Sequence, residues 1–84
     1  MAKIDPSTYE DNVMLVELGT RIASYRNKKG ISQFRLALLS DTTQSYISDL
    51  ERGRRNPSVL VLQKIASALG VEVKDFFLFS KPIN

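Results

Sequence analysis

A chain of 84 residues, 43% hydrophobic and 25% charged, is material for one packed domain and too little for an enzyme core with a separate substrate domain. It holds neither cysteine nor histidine, which excludes disulfides, thiolate metal sites and imidazole general bases. Net charge is +3 and concentrates in residues 21–56, where eight arginines and lysines face three acids, so a polyanionic partner is favoured.

The first predicted element is a helix. Ser7-Thr8-Tyr9-Glu10 has the spacing of a capping box, and neither glycine nor proline follows until Gly19. Leu15, Leu18, Ile22 and Tyr25 then recur three and four residues apart, and Asn27-Lys28-Lys29-Gly30 supplies last-turn cations and a terminal glycine. Gly19 leaves two forms open, one long helix or a short helix kinked into a main one. Ser32 caps a second, short helix with Leu36, Ala37 and either Leu39 or Ser40 facing inward, stopped by the turn cluster Ser40-Asp41-Thr42. Thr43 is the N-cap of a third, residues 44–52, which is buried through Ile47 and Leu50 and ended by Gly53.

Ser58 caps a fourth helix with Val59, Leu62, Ile65, Ala66 and Leu69 inward and Gly70 as its stop. Residues 73–79 form a short fifth helix, although their valines and phenylalanines also suit a strand. The expected fold is all-α, a compact five-helix domain over residues 13–79. Residues 1–12 are an N-terminal arm running into the extended first helix, and residues 80–84 are a tail. No apolar run reaches the roughly 18 residues of a membrane span, and MAKIDPSTYED lacks the order of a signal peptide. A cytoplasmic chain with no cofactor, no metal, no membrane and no evident small-molecule ligand is expected.

The third helix carries the chemistry. The DNA major groove admits one α-helix and displays donors and acceptors on every base pair. Gln44 has the paired donor and acceptor that match adenine, and the Ser45 and Ser48 hydroxyls suit either base type. Ser32, Gln33 and Thr43 stand at helix starts, where exposed amides and the helix dipole favour phosphate. Tyr46, Arg52, Arg54, Arg55 and Asn56 flank the same helix as further phosphate ligands, which position it without reading sequence.

At these residues the chain resembles the Cro/CI-type (XRE-like) helix-turn-helix family of transcriptional regulators. GISQFRLALLS and TQSYISDLERGRRNPS look like that family's second and third helices and the loop after them, and LQKIASALGVEVKDFF resembles its fourth and fifth. The resemblance covers some 60 residues, from Leu18 to about Phe77. It implies a lambda-repressor-like domain with residues 43–52 as recognition helix, Gln33 on a phosphate, Gln44 and Ser45 at base edges, and Arg26 paired with Glu51 inside the fold. In size and layout it points to restriction-modification controller proteins and small phage repressors.

Several residues depart from the family pattern. Asp41 stands where glycine is usual and Thr42 where an aliphatic is, while Asp49 puts a negative charge on the recognition helix. Phe34, Leu38, Leu60 and Val61 are apolar where polar residues are usual, and apolar patches on a small domain need cover. For Phe34 and Leu38 the cover is residues 9–16 folded back over them. For Leu60 and Val61, with Phe79 and Ile83, it is a second copy in a two-fold homodimer that sets two recognition helices about one DNA turn apart on double-stranded DNA. The competing class is a protein-interaction module, antitoxin-like or an adaptor. An enzyme has the least support, since Asp49 and Glu51 are two residues apart and diverge on a helix.

Overall fold

One helix, α1 (Pro6–Lys29), runs unbroken through Gly19, and the glycine is there for another reason. A Cβ on residue 19 would collide with the carbonyl oxygen of Leu50 and stand 2.7 Å from that of Glu51. Glycine lowers helix propensity by about 1 kcal/mol relative to alanine, and in return the end of a second helix lies directly on α1. The computed structural model describes residues 6–77, with side chains from Val13 onward.

After α1 come α2 (Gln33–Leu39), α3 (Gln44–Glu51), α4 (Val59–Leu69) and a 3-10 turn (Val73–Phe77), with no strand among the described residues. The serine and threonine caps act locally. Oγ of Ser32 accepts from the Arg35 amide at 3.0 Å, Oγ1 of Thr43 from Tyr46 at 3.1 Å, and Oγ of Ser58 from Val61 at 3.1 Å. Each satisfies one of the amides that a helix start leaves without a partner. The core gathers Leu18 and Ile22 of α1, Leu36 and Ala37 of α2, Ile47 and Leu50 of α3, Leu62, Ile65, Ala66 and Leu69 of α4, and Phe76. Burying each Leu or Ile completely contributes roughly 1.5–3 kcal/mol, so α3, only eight residues long, is held by its packing on α1 and α2 and not by its own propensity.

Four expectations are corrected. The fifth helix is a 3-10 turn, so the described residues hold four α-helices and not five. Asp75 closes the start of the turn: its amide donates to the Glu72 carbonyl three residues back at 2.9 Å, while its Oδ2 accepts from the Glu72 amide at 2.9 Å. Phe76 is meanwhile driven fully inside, edge-on to Tyr25 with centroids 6.0 Å apart. On α4, Val59 is 72% exposed because it opens the first turn, beyond the core, whereas Val61 packs against the core from the flank. Val61 is thus half-buried in its own domain, while Leu60 is 69% exposed.

Residues 9–16 do not fold back over α2. They continue α1, about 20–30 Å up its axis from the end next to α2, and Phe34 and Leu38 stay 57% and 58% exposed. On α2 the inward alternative is Ser40 rather than Leu39. Its hydroxyl is satisfied in place by donating to the Leu36 carbonyl at 2.7 Å.

Candidate nucleic-acid interface

The turn between α2 and α3 fixes how the two helices meet. The Thr42 amide reaches back to the Ala37 carbonyl at 2.9 Å, and the Ser40 and Thr42 hydroxyls lie 3.2 Å apart. Asp41 between them takes φ +59°, the left-handed region that disfavours a side chain. Its Oδ2 lies 3.7 Å from Lys64 Nζ on α4, an exposed pair of little energetic weight.

At the other end of α3, Glu51 ties three helices together. Arg26 of α1 grips its carboxylate with two N–H groups, Nε to Oε2 at 2.7 Å and Nη2 to Oε1 at 3.1 Å, and donates a third to the Ile31 carbonyl at 2.8 Å. Gln33 of α2 donates from Nε2 to Oε1 at 2.9 Å. The hydrogen bonds to Glu51 hold the Arg26 guanidinium above its ordinary pKa, against the lowering effect of its burial. With Ile47 and Leu50 fully buried beside this cluster, the orientation of α3 relative to α1 and α2 is set by packing and charge together.

What α3 turns outward is polar. Thr43, Gln44 and Ser45 are exposed and Ser48 is half-exposed. Arg52, Arg54, Arg55 and Asn56 are exposed on the loop that follows, and Ser32 is exposed at the start of α2. The loop folds back because Gly53 takes φ +78° and the Arg52 and Arg54 amides both bond to the Asp49 carbonyl, at 3.1 and 2.9 Å. This return brings Arg55 over α3. Its guanidinium carbon sits 5.3 Å from the centre of the Tyr46 ring, and its Nε is 3.7 Å from Oδ2 of Asp49. Burial pushes the Tyr46 phenol above its usual pKa, and the Arg55 charge works against that rise.

Of the residues singled out by sequence, Thr43, Gln44, Ser45, Ser48 and the three arginines share one region around α3. Gln33 is placed differently, with its side chain engaged to Glu51 inside the cluster that joins the helices. Phe79 and Ile83 lie outside the described residues. Sequence reasoning missed the Gln33 to Glu51 bond and the return of Arg55 onto Tyr46 and Asp49. The first has no signal along the chain; the second has a partial one, since Tyr46 and Asp49 are three apart and therefore share a helix flank. No group of three or more acidic, histidine or cysteine side chains among the described residues could hold a metal ion, and no described helix is long and apolar enough to cross a membrane.

A family model described as helix-turn-helix matches residues 22–76, a stretch that contains both α2 and α3. The chain belongs to the helix-turn-helix family. The XRE-type resemblance read from the sequence is met at this level.

This helix-turn-helix protein is similar to named relatives over most of its length. Control protein C.BamHI of Bacillus amyloliquefaciens is 41% identical over 71 residues, which are 83% of this chain and 86% of that protein. The uncharacterised HTH-type transcriptional regulator y4dJ of Sinorhizobium fredii is 46% identical over 54 residues, 64% of this chain and 70% of the relative. Among solved structures, the restriction-modification controller protein C.AhdI from Aeromonas hydrophila superposes with a TM-score of 0.76 at 42% identity, covering 77% of this chain and 98% of its own.

Proposed function

We propose that this helix-turn-helix protein is a sequence-specific regulator of transcription, of the controller or repressor kind, that binds double-stranded DNA. In this reading α2 and α3 are the helix-turn-helix and α3 enters the major groove. One observation carries it: the outward side chains Gln44, Ser45 and Ser48, polar and themselves uncharged, stand on a helix whose inner face is locked by Ile47, Leu50 and Glu51. A rigid helix loses little entropy on docking, so hydrogen bonds to base edges translate into discrimination between sequences.

Gln44 reads adenine, and Ser45 and Ser48 meet neighbouring edges. Arg52, Arg54, Arg55, Asn56 and the Tyr46 hydroxyl bind backbone phosphates and set register, as do Ser32 and Thr43 at their helix starts. Gln33 assists through its backbone amide and its remaining side-chain N–H, because one N–H is already given to Glu51. Arg26 and Glu51 act structurally. The controller-protein names of C.BamHI and C.AhdI and the regulator name of y4dJ support this role.

The protein acts as a two-fold dimer in the cytoplasm. Exposed Leu60 supplies apolar contact area on α4, joined by the partly buried Val61. Two copies so related present two α3 helices to half-sites about 34 Å apart on a pseudo-palindrome. Selection of bound duplexes from a random pool tests the whole reading. Enrichment of two inverted half-sites one turn apart is the expected result, and a pool that stays random overturns it.

A second reading rests on Phe34 and Leu38, whose exposure on α2 leaves apolar area for another protein. Co-purification of a stoichiometric partner, with no salt-dependent DNA binding, would favour that interaction module.

A further inference from the structure

Asp49 is the one acid on the outer face of α3. Four residues after Ser45 and three after Tyr46, it lies half-buried on their flank of the helix and away from Ile47, where a DNA-facing helix would meet a field of phosphates. An anion there opposes binding unless something compensates it.

The compensation is visible. Arg55 Nε lies 3.7 Å from Asp49 Oδ2, and the guanidinium rests over the Tyr46 ring 5.3 Å from its centre. The Asp49 carbonyl also accepts from the Arg52 and Arg54 amides, so the residue that holds Arg55 also anchors the loop that delivers it. The pair is open to water, with half of the Arg55 side chain and a third of the Asp49 side chain exposed. Such a contact stabilises the fold little, and its anion is one that guanidinium exchanges readily for phosphate.

We propose that Asp49 is a positioning residue for DNA docking: it parks Arg55 against Tyr46 in the free protein and surrenders it to a backbone phosphate when α3 enters the groove. The proposal rests on the DNA reading above. Its consequence is a threshold on indiscriminate binding. Taking Arg55 from Asp49 leaves the carboxylate uncompensated beside the duplex, so association with arbitrary DNA is weakened, and only a docking that secures the remaining contacts overcomes the loss.

The test is a four-protein cycle of wild type, Asp49→Asn, Arg55→Ala and the double variant, measured by fluorescence anisotropy on random-sequence duplex at low salt. Exchange predicts that Asp49→Asn strengthens binding about fivefold with Arg55 present, and by two- to threefold less than that with Arg55 replaced. An equal effect in both backgrounds overturns the proposal, because Asp49 then acts through its own charge alone. Weakened binding by Asp49→Asn overturns it too, since Asp49 would then hold Arg55 in its working position or read a base.

The Arg55 Nε–H NMR signal supplies a readout that a static pair would not give. Wild type and Asp49→Asn should differ when free and coincide when bound to DNA. Signals that coincide in the free proteins, or stay apart in the complexes, overturn the exchange. The wild-type arm separates the two levels of argument: no salt-dependent binding by wild type, with the free signals still different, removes the DNA reading while the Asp49 and Arg55 contact stands.

Discussion

Arg26 and Glu51, 25 residues apart in the chain, meet in a two-pronged hydrogen-bonded ion pair whose side chains are only 13% and 7% exposed. Removing one member of a buried pair leaves the other charged and unsolvated, which costs about 3–5 kcal/mol. Glu51→Ala also strands a Gln33 N–H, so it should fall at the upper end of that range. Arg26→Ala should cost less, because Glu51 keeps Gln33 as a donor. Urea unfolding midpoints at constant slope check the order, and a loss below about 1 kcal/mol for Glu51→Ala would show that the pair behaves as a surface contact.

Gly19→Ala sets two effects against each other. Alanine should gain about 1 kcal/mol of helix propensity, yet its Cβ would strike the Leu50 and Glu51 carbonyls, which are backbone atoms that cannot rotate aside. Overpacking of this kind costs about 1–3 kcal/mol, and with backbone on both sides the upper figure applies, so the net sign is destabilising. Thermal melts should show the midpoint falling by roughly 4–8 °C per kcal/mol for a domain of this size.

These two cases mark what could be read along the chain. The caps Ser32, Thr43 and Ser58 and the stop at Gly70 were legible because each acts within a few residues of itself. The inward sets of α2 to α4 followed from spacing, apart from Val59, since periodicity gives a residue's angle on a helix and not whether a neighbour reaches its turn. Gly19 looked like a weakness because its partner is more than thirty residues away. The polar face of α3 was legible as composition, but the approach of Arg55 to Asp49 depends on the path of a loop, which residue types do not encode.

Asp41 holds φ +59° in the turn before α3. A left-handed non-glycine residue costs roughly 1–2 kcal/mol, with aspartate among the more tolerant types, while glycine adds about 0.4–1 kcal/mol of unfolded-state entropy to be lost. Asp41→Gly should therefore stabilise slightly, by about 0.5 kcal/mol. A chemical denaturation series resolves that change, and Asp41→Ala, which keeps a Cβ and loses the tolerance, should move the other way.

Tyr46 gives a pH dependence of defined sign. Burial holds its phenol above the usual value of about 10, so above that pH the unfolded chain loses this proton before the folded one does. Its contribution to stability is therefore flat below pH 10, falls as pH rises through about 10, and levels off above the folded value. In a Tyr9→Phe, Tyr25→Phe background, absorbance at long ultraviolet wavelength follows Tyr46 alone. Adding Arg55→Ala should raise the midpoint further, because the positive charge that favours the phenolate has gone.

Gln44 is the residue on which sequence reading turns. It is exposed at the first position of α3, outside the core and outside the Glu51 cluster, so Gln44→Ala should leave stability within about 0.5 kcal/mol of wild type. On the selected operator the same change should cost about 1–3 kcal/mol and relax the preference at one base position per half-site. Arg54→Ala should instead weaken selected and random duplexes alike and reduce the steepness of the salt dependence by about one counterion. Anisotropy titrations on operator and random DNA at several salt concentrations separate the two signatures. Loss of operator preference in Arg54→Ala, with Gln44→Ala indifferent to sequence, would move the reading function from the start of α3 to the loop that follows it.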